Sequence, residues 1–230
     1  MKPASAVAPR RRGRFIVLEG IDGAGTTTQS RMLADWLRLI GRKALLTREP
    51  SDGPIGHLIR AILSGRMVVR DGQSAVRSRA RPLDPGCVAL LFAADRVDHL
   101  DAEVRPALAR GVDVISDRYY HSSLAYQGQD FSQAWIRQIN GLATAPDVTY
   151  LLDVPSRIGT RRWSGRSRRD LYETASFQHR VERAYRSLPR VLSREAIVVL
   201  DGTLPPDDVH ARIQKDLMRR FGWRAPVARG

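Results

Sequence analysis

The stretch from Phe15 to Gln29, FIVLEGIDGAGTTTQ, limits what this chain can fold into more than any other. A short apolar run suited to a buried strand leads into a glycine-rich turn, and hydroxyl residues then open a helix. In that layout successive backbone N–H groups and a helix N-terminus converge on an anion, which is the layout of a phosphate-binding loop. The full pattern for such a loop is Gly, four residues, Gly, Lys, then Ser or Thr. Here the chain supplies Gly20, Gly25, Thr26 and Thr27, so a threonine stands at the lysine position. Without the lysine the loop alone does not separate phosphate binding from a tight strand-to-helix turn.

The residues after the loop continue the pattern. A strand over residues 14–19, a helix over about 26–40 and a strand over 43–48 make a βαβ unit, whose strands are parallel and whose crossover is right-handed. In that helix Met32, Leu33, Trp36, Leu37 and Ile40 share one stripe, and Gly41 closes it. Further apolar strands are expected over 112–117, 148–152 and 197–201, with helices over about 55–63, 85–108, 132–142, 171–192 and 207–221. Strands alternating with helices in this way predict an α/β fold of three layers, helices on both faces of a five-stranded parallel sheet. One domain is expected over 14–222. Residues 1–13 read as a disordered basic tail, 65–86 as an irregular insertion rich in arginine, and 223–230 as a flexible C-terminus.

Charge narrows the class of partner. Lysine and arginine number 38 against 24 acidic residues, a net of +14, which suits polyanions such as nucleotides. Nearly all of that excess is arginine, as a genome rich in G and C also produces, so nucleic acid is not expected as a partner. Cys87 is the single cysteine; an intramolecular disulfide and a cysteine zinc site are both ruled out, and a reducing, cytoplasmic setting is expected. The longest apolar run, Cys87 to Ala94, is too short to span a membrane. No hydrophobic segment stands between Arg10, Arg11, Arg12 and Arg14 and a small-residue cleavage site, so a secretory signal is not expected; an organelle-targeting peptide is the minor alternative.

In an open parallel sheet, ligands sit outside the carboxyl ends of the strands. Just past those ends lie the glycine loop, Arg48 with Glu49, Asp117 with Arg118 and Tyr119, and Asp153. Two arginines, three acids and an N–H cradle on one rim suit phosphate groups with a magnesium ion, because guanidinium forks match phosphate oxygens and carboxylates hold the metal's waters. Singly, each piece also has a structural reading: a surface ion pair, a helix cap, or in the case of Phe92 a core side chain.

The segments in order resemble one family. Glu19-Gly20-Ile21-Asp22-Gly23-Ala24-Gly25, Thr47-Arg48-Glu49-Pro50, Phe92-Ala93-Ala94-Asp95-Arg96, Asp117-Arg118-Tyr119 with Ser122 to Gly128, and Leu152-Asp153-Val154-Pro155 are similar to the signature segments of thymidylate kinases. The resemblance covers roughly residues 14 to 220. It implies a P-loop kinase fold with a mobile arginine-rich lid over about 156–170, phosphorylation of dTMP to dTDP by ATP with Mg2+, and a homodimer. By match to the family's motifs, Gly20, Gly23, Ala24, Gly25, Thr26, Thr27 and Thr28 would hold the ATP phosphates, with Thr27 and Asp117 on magnesium. Phe92 would stack on thymine, Arg96 would reach the base, and Ser123 and Gln127 would line its pocket. Tyr126 would sit at the sugar's 2′ position and disfavour a ribonucleotide. Arg48 and Arg118 would hold the acceptor phosphate, with Asp117 beside it and Asp22 near the sugar and the reacting phosphates.

The family carries one transition-state arginine either in the loop or in the lid. The loop position here is Ala24, which implies a lid arginine among Arg161, Arg162, Arg166, Arg168 and Arg169; Arg162 and Arg166 are the favoured pair. Losing the loop lysine costs on the order of 3–4 kcal/mol of transition-state stabilisation. A lid arginine is worth about 10³–10⁵ in rate. The chain is therefore expected to be an active kinase, and a weakened or inactive nucleotide-binding homologue is the alternative.

Overall fold

The computed structural model describes residues 12–67, 69–70, 80–163 and 175–224. Five strands form one parallel sheet: β1 (Phe15–Glu19), β2 (Ala44–Arg48), β5 (Asp113–Asp117), β6 (Val148–Asp153) and β7 (Ile197–Asp201). Their order across the sheet is β2-β5-β1-β6-β7. The central place of β1 follows from its composition, since all five of its residues are buried and only a strand covered on both faces stays apolar throughout. Register carries the functional ends to one rim, with Leu18 beside Asp117 and Arg48 also beside Asp117.

Helices cover both faces of the sheet, as expected. They are α1 (Thr26–Leu39), α2 (Pro54–Leu63), α3 (Pro85–His99), α4 (Arg105–Ala109), α5 (Tyr120–Tyr126), α6 (Gln133–Ile139), α7 (Ser156–Trp163), α8 (Ala175–Val191) and α9 (Pro206–Phe221). Asp84 caps α3 through the N–H groups of Gly86 and Cys87, and Pro85 opens it. Between α3 and α4, residues Leu100–Val104 take a π-helical turn. Pro106, with no N–H to give, lies two residues past it, and that missing donor accounts for the break in the regular ladder.

Three stretches differ in detail from the sequence reading. Residues 120–126, for which the sequence reading gives no element, are helical. The insertion contains a short antiparallel pair, β3 (Val69–Arg70) with β4 (Ala80–Arg81). Trp223, assigned to the C-terminal tail, packs on Trp36 and Phe221 with Arg42 over its ring. The tail over 1–11 and lid residues Arg166, Arg168 and Arg169 lie outside the described residues. Among the described residues no helix is long and apolar enough to cross a membrane.

Candidate active site

The loop after β1 turns back under α1, with the Ala24 N–H donating to the Ile21 carbonyl at 3.0 Å. Two of its glycines are required for different reasons. Gly23 has φ of 78°, and a Cβ there would stand 2.3 Å from the Gly159 carbonyl oxygen of α7. Gly25 has open space around it but φ of 99°, a left-handed conformation that costs a side-chain-bearing residue. No side chain caps α1 at Gly25, and its first turn holds no acid. The first N–H groups of α1 are thus left for an anion. They open onto a cleft of about 540 Å³ whose lining includes Asp22 to Gln29, Arg118 and Arg162.

Thr26 is buried in that cleft wall, whereas Thr27 and Thr28 are exposed. The Thr27 hydroxyl donates to Asp117 Oδ2 in a short hydrogen bond. The other oxygen, Oδ1, is buried and has no hydrogen-bond partner. Thr27 and Asp117 both line a neighbouring cavity, and a hydroxyl and an under-satisfied carboxylate are hard oxygen donors, the set magnesium takes alongside phosphate oxygens and water. The residues present therefore fit the ion.

Among the described residues Arg118 is the non-glycine residue with positive φ, 74°. Its backbone is held on both sides: its N–H donates to the Leu18 carbonyl at 2.9 Å, and its own carbonyl accepts from the Ser116 hydroxyl at 2.7 Å. The guanidinium donates to Asp22 Oδ1 at 2.7 Å and reaches Ser122 Oγ at 3.3 Å and the Tyr185 hydroxyl at 3.4 Å. Behind it sits Glu19, fully buried. Glu19 accepts from the Tyr119 N–H at 2.7 Å, the Ser122 hydroxyl at 2.7 Å and the Tyr185 hydroxyl at 2.9 Å. Burial raises the Glu19 carboxyl above its ordinary value, against the pull of His121 and Arg118.

A second cavity of about 250 Å³ adjoins the first and shares Asp22 and Arg118 with it. Phe92, Arg96, Ser123, Tyr126 and Gln127 line it, all five named from the sequence as acceptor contacts. Arg96 is 2% exposed and donates to Glu49 Oε2 through Nε at 2.9 Å, to the Asn140 side-chain carbonyl in a short bond, and to Ser123 Oγ at 3.4 Å. The Tyr126 hydroxyl donates to Asp22 Oδ2 at 3.0 Å, and Gln178 of α8 donates to the same oxygen at 3.1 Å. Arg48 is placed apart from these residues: its guanidinium pairs with Asp52 at 2.7 Å, and it lines a third cavity, together with Asp117 and Arg118.

Comparison with known proteins decides the family. A family model described as Thymidylate kinase matches residues 18–213. A "Probable thymidylate kinase" of Thermococcus onnurineus is 38% identical over 212 residues, 90% of this chain and 100% of the relative. A "Thymidylate kinase" of Trichormus variabilis is 35% identical over 213 residues, covering 89% and 95%, and one of Desulfovibrio desulfuricans is 37% identical over 209, covering 85% and 90%.

The chain belongs to the thymidylate kinase family.

Thymidylate kinases are phosphotransferases, and the two adjoining cavities divide along the lines such chemistry needs. Of the arginines that the resemblance assigns to a lid, Arg162 lies on α7 and lines the first cleft, donating to the Gly202 carbonyl at 3.0 Å. Arg161, on the same helix, is exposed. Several residues around the site escaped the sequence reading: Glu19 as the support of Arg118, Tyr185 and Gln178 from α8, and Asn140 and His99 behind Arg96. Glu19 alone carried a local signal, as an acid at the end of a wholly apolar strand.

Proposed function

We propose that this chain transfers the γ-phosphoryl group of ATP to dTMP, giving dTDP and ADP, with magnesium. The observation that carries this reading is the meeting of the two cavities at Asp22 and Arg118. One is walled by helix N–H groups and hydroxyls, and the other by an aromatic ring, an amide and a buried arginine. A donor phosphate in the first and an acceptor phosphate in the second would come together at that shared wall, which is the positioning that phosphoryl transfer requires.

Each residue has a distinct part. The N–H groups of the loop and of the first turn of α1 bind the donor phosphates. Arg118 exchanges its contact with Asp22 for the acceptor phosphate, its charge held in place by Glu19 through Ser122 and Tyr185. Asp22, released from Arg118, remains bonded to Tyr126 and Gln178 beside the acceptor sugar. Phe92 receives the face of the base, with Ser123 and Gln127 at its edge. Tyr126 closes the space at the sugar's 2′ position. Thr27 and Asp117 would hold magnesium, which would neutralise charge on the donor phosphates. Thr26 brings no charge to the cleft; Arg118 and Arg162 are the cations among its lining residues, and Arg162, joined by Arg166 of the lid, takes over part of the lysine's work. For Arg48 to reach the acceptor phosphate it must leave Asp52. A homodimer in the cytoplasm belongs to the same reading and is checked by sedimentation equilibrium.

The test is ADP release by the purified chain with Mg-ATP and a panel of nucleoside monophosphates. Turnover with dTMP above the others supports the reading. Absence of turnover together with measurable dTMP binding would leave only the nucleotide-binding homologue.

A further inference from the structure

Behind the acceptor cavity lies a buried cluster of charge that the reading above leaves unused. Glu49 is 6% exposed, and its two oxygens are held from different sides. Oε2 takes Arg96, with Nη2 at 2.6 Å, and Oε1 faces Nδ1 of His99 at 3.3 Å. His99 ends α3 and is 3% exposed. Its other nitrogen, Nε2, lies 2.7 Å from the Thr47 hydroxyl and 3.1 Å from Glu103 Oε2.

A count of protons assigns the ring's charge. Thr47 has one hydroxyl proton, and it goes to Glu103 Oε2 at 2.9 Å. Toward His99 that hydroxyl is therefore an acceptor, and Nε2 must donate. Ionised Glu49 is acceptor-only, so Nδ1 must donate as well. A histidine with both nitrogens donating is an imidazolium. The charged groups facing it are Glu49 from the β2–α2 connection, Glu103 from the π turn, and Asp95 and Arg96 from α3. Asp95 is itself bound by the Ser51 N–H at 2.7 Å and the Ser51 hydroxyl at 2.6 Å.

We infer that His99 is a positioning residue for the acceptor cavity: as an imidazolium it grips one oxygen of Glu49 while Arg96 grips the other, and this clamp fixes the Arg96 guanidinium and the Glu49–Pro50 wall that receive the acceptor base. The inference rests on the kinase reading of that cavity. Burial opposes the cation, but Glu49, Glu103 and Asp95 outweigh it, so the ring titrates above its ordinary 6.5. The clamp is accordingly complete below that raised value and weakens as pH rises through it, because the neutral ring gives up one of its two donors.

The experiment uses the full chain and two variants, His99→Gln and Glu103→Gln. Steady-state constants for dTMP and ATP are measured across pH, the dissociation constant for dTMP by equilibrium dialysis, and the protonation of the His99 ring by nitrogen NMR. His99→Gln is expected to raise KM and Kd for dTMP by roughly tenfold, with kcat and the ATP constant within about threefold of the parent. It should also abolish the alkaline rise in the dTMP constant. Glu103→Gln keeps the ring but removes one of the carboxylates that hold its proton, so the alkaline rise should move to lower pH. A purely structural histidine moves neither profile. Should His99→Gln fail to fold, Glu103→Gln and the ring spectrum still decide. A ring already neutral at its ordinary 6.5, or a His99→Gln chain with unchanged dTMP constants and pH profile, overturns the inference. A parent chain that neither binds nor phosphorylates dTMP overturns the kinase reading, and this inference falls with it. Normal parent turnover with indifferent variants overturns the inference alone.

Discussion

Gly159 offers the sharpest test of how α7 meets the glycine loop. It sits inside α7, where alanine is normally favoured over glycine by about 1 kcal/mol. A Cβ there would lie 2.5 Å from the Asp22 carbonyl oxygen and 2.8 Å from Ile21 Cδ1, and a Cβ on Gly23 across the contact would lie 2.3 Å from the Gly159 carbonyl oxygen. The two backbones are packed face to face, with no room for a methyl group. In Gly159→Ala, α7 must back away by about 0.9 Å to restore ordinary contact, and a displacement on the order of 1 Å typically costs about a hundredfold in rate. The overpacking penalty of about 1–3 kcal/mol is partly offset by helix propensity, so the net loss of stability is at most about 2 kcal/mol and the chain stays folded. Because α7 carries Arg162 and lends no lining residue of its own to the second cavity, kcat should fall by about a hundredfold, with a smaller loss of dTMP affinity passed on through Asp22. The assay is ADP release under saturating substrates, paired with equilibrium dialysis for dTMP and a thermal melt. A folded variant with kcat within about threefold of the parent would refute the view that the close packing of α7 on the loop sets the place of Arg162.

The same geometry sets other expectations. Arg162→Ala should lower kcat by roughly a hundred- to a thousandfold with little change in the dTMP constant, and an unchanged kcat removes Arg162 from the mechanism. Thr26→Lys should preserve or raise kcat; a large loss in the same ADP-release assay would mean the cleft is built around the threonine. Asp117→Asn should raise the magnesium concentration for half-maximal turnover by about tenfold or more, read from a metal titration after chelation, and an unshifted titration rejects it as a support of the ion. For Glu19 the folded carboxyl titrates above its ordinary 4.5, so the folded state holds the proton more tightly than the unfolded one. Its contribution to stability is thus greatest below 4.5 and diminishes as pH rises through the folded-state value. Glu19→Gln should flatten the urea-midpoint profile across that window, and a profile parallel to the parent's would contradict the shift.

The elements legible in the sequence are those with a strong local contrast. Apolar runs marked the five strands of the sheet, and the stripe of Leu33, Trp36 and Leu37 marked α1. Helix α5 was missed because Tyr120, His121, Ser123, Leu124, Ala125 and Tyr126 are all buried, leaving no amphipathic face to detect. Strands β3 and β4 were missed because two residues each are too few to show alternation. At the site, Phe92, Arg96, Ser123, Tyr126 and Gln127 meet in one cavity as the motifs implied. The pairing of Arg48 with Asp52, and of Arg96 with Glu49 and Asn140, depends on which partner comes within reach after folding.

The order of strands and helices, the turn geometry of the loop and the residue types on its rim were set by the chain alone, because each of these rests on side chains a few positions apart. Which charges meet was settled in three dimensions: Glu19 with Tyr185, Asp22 with Gln178 and Glu49 with His99 join residues 166, 156 and 50 positions apart. Coulomb and hydrogen-bond energies depend on distances in space, and no periodicity along the chain records a distance that only the packing of α3 and α8 over the sheet creates.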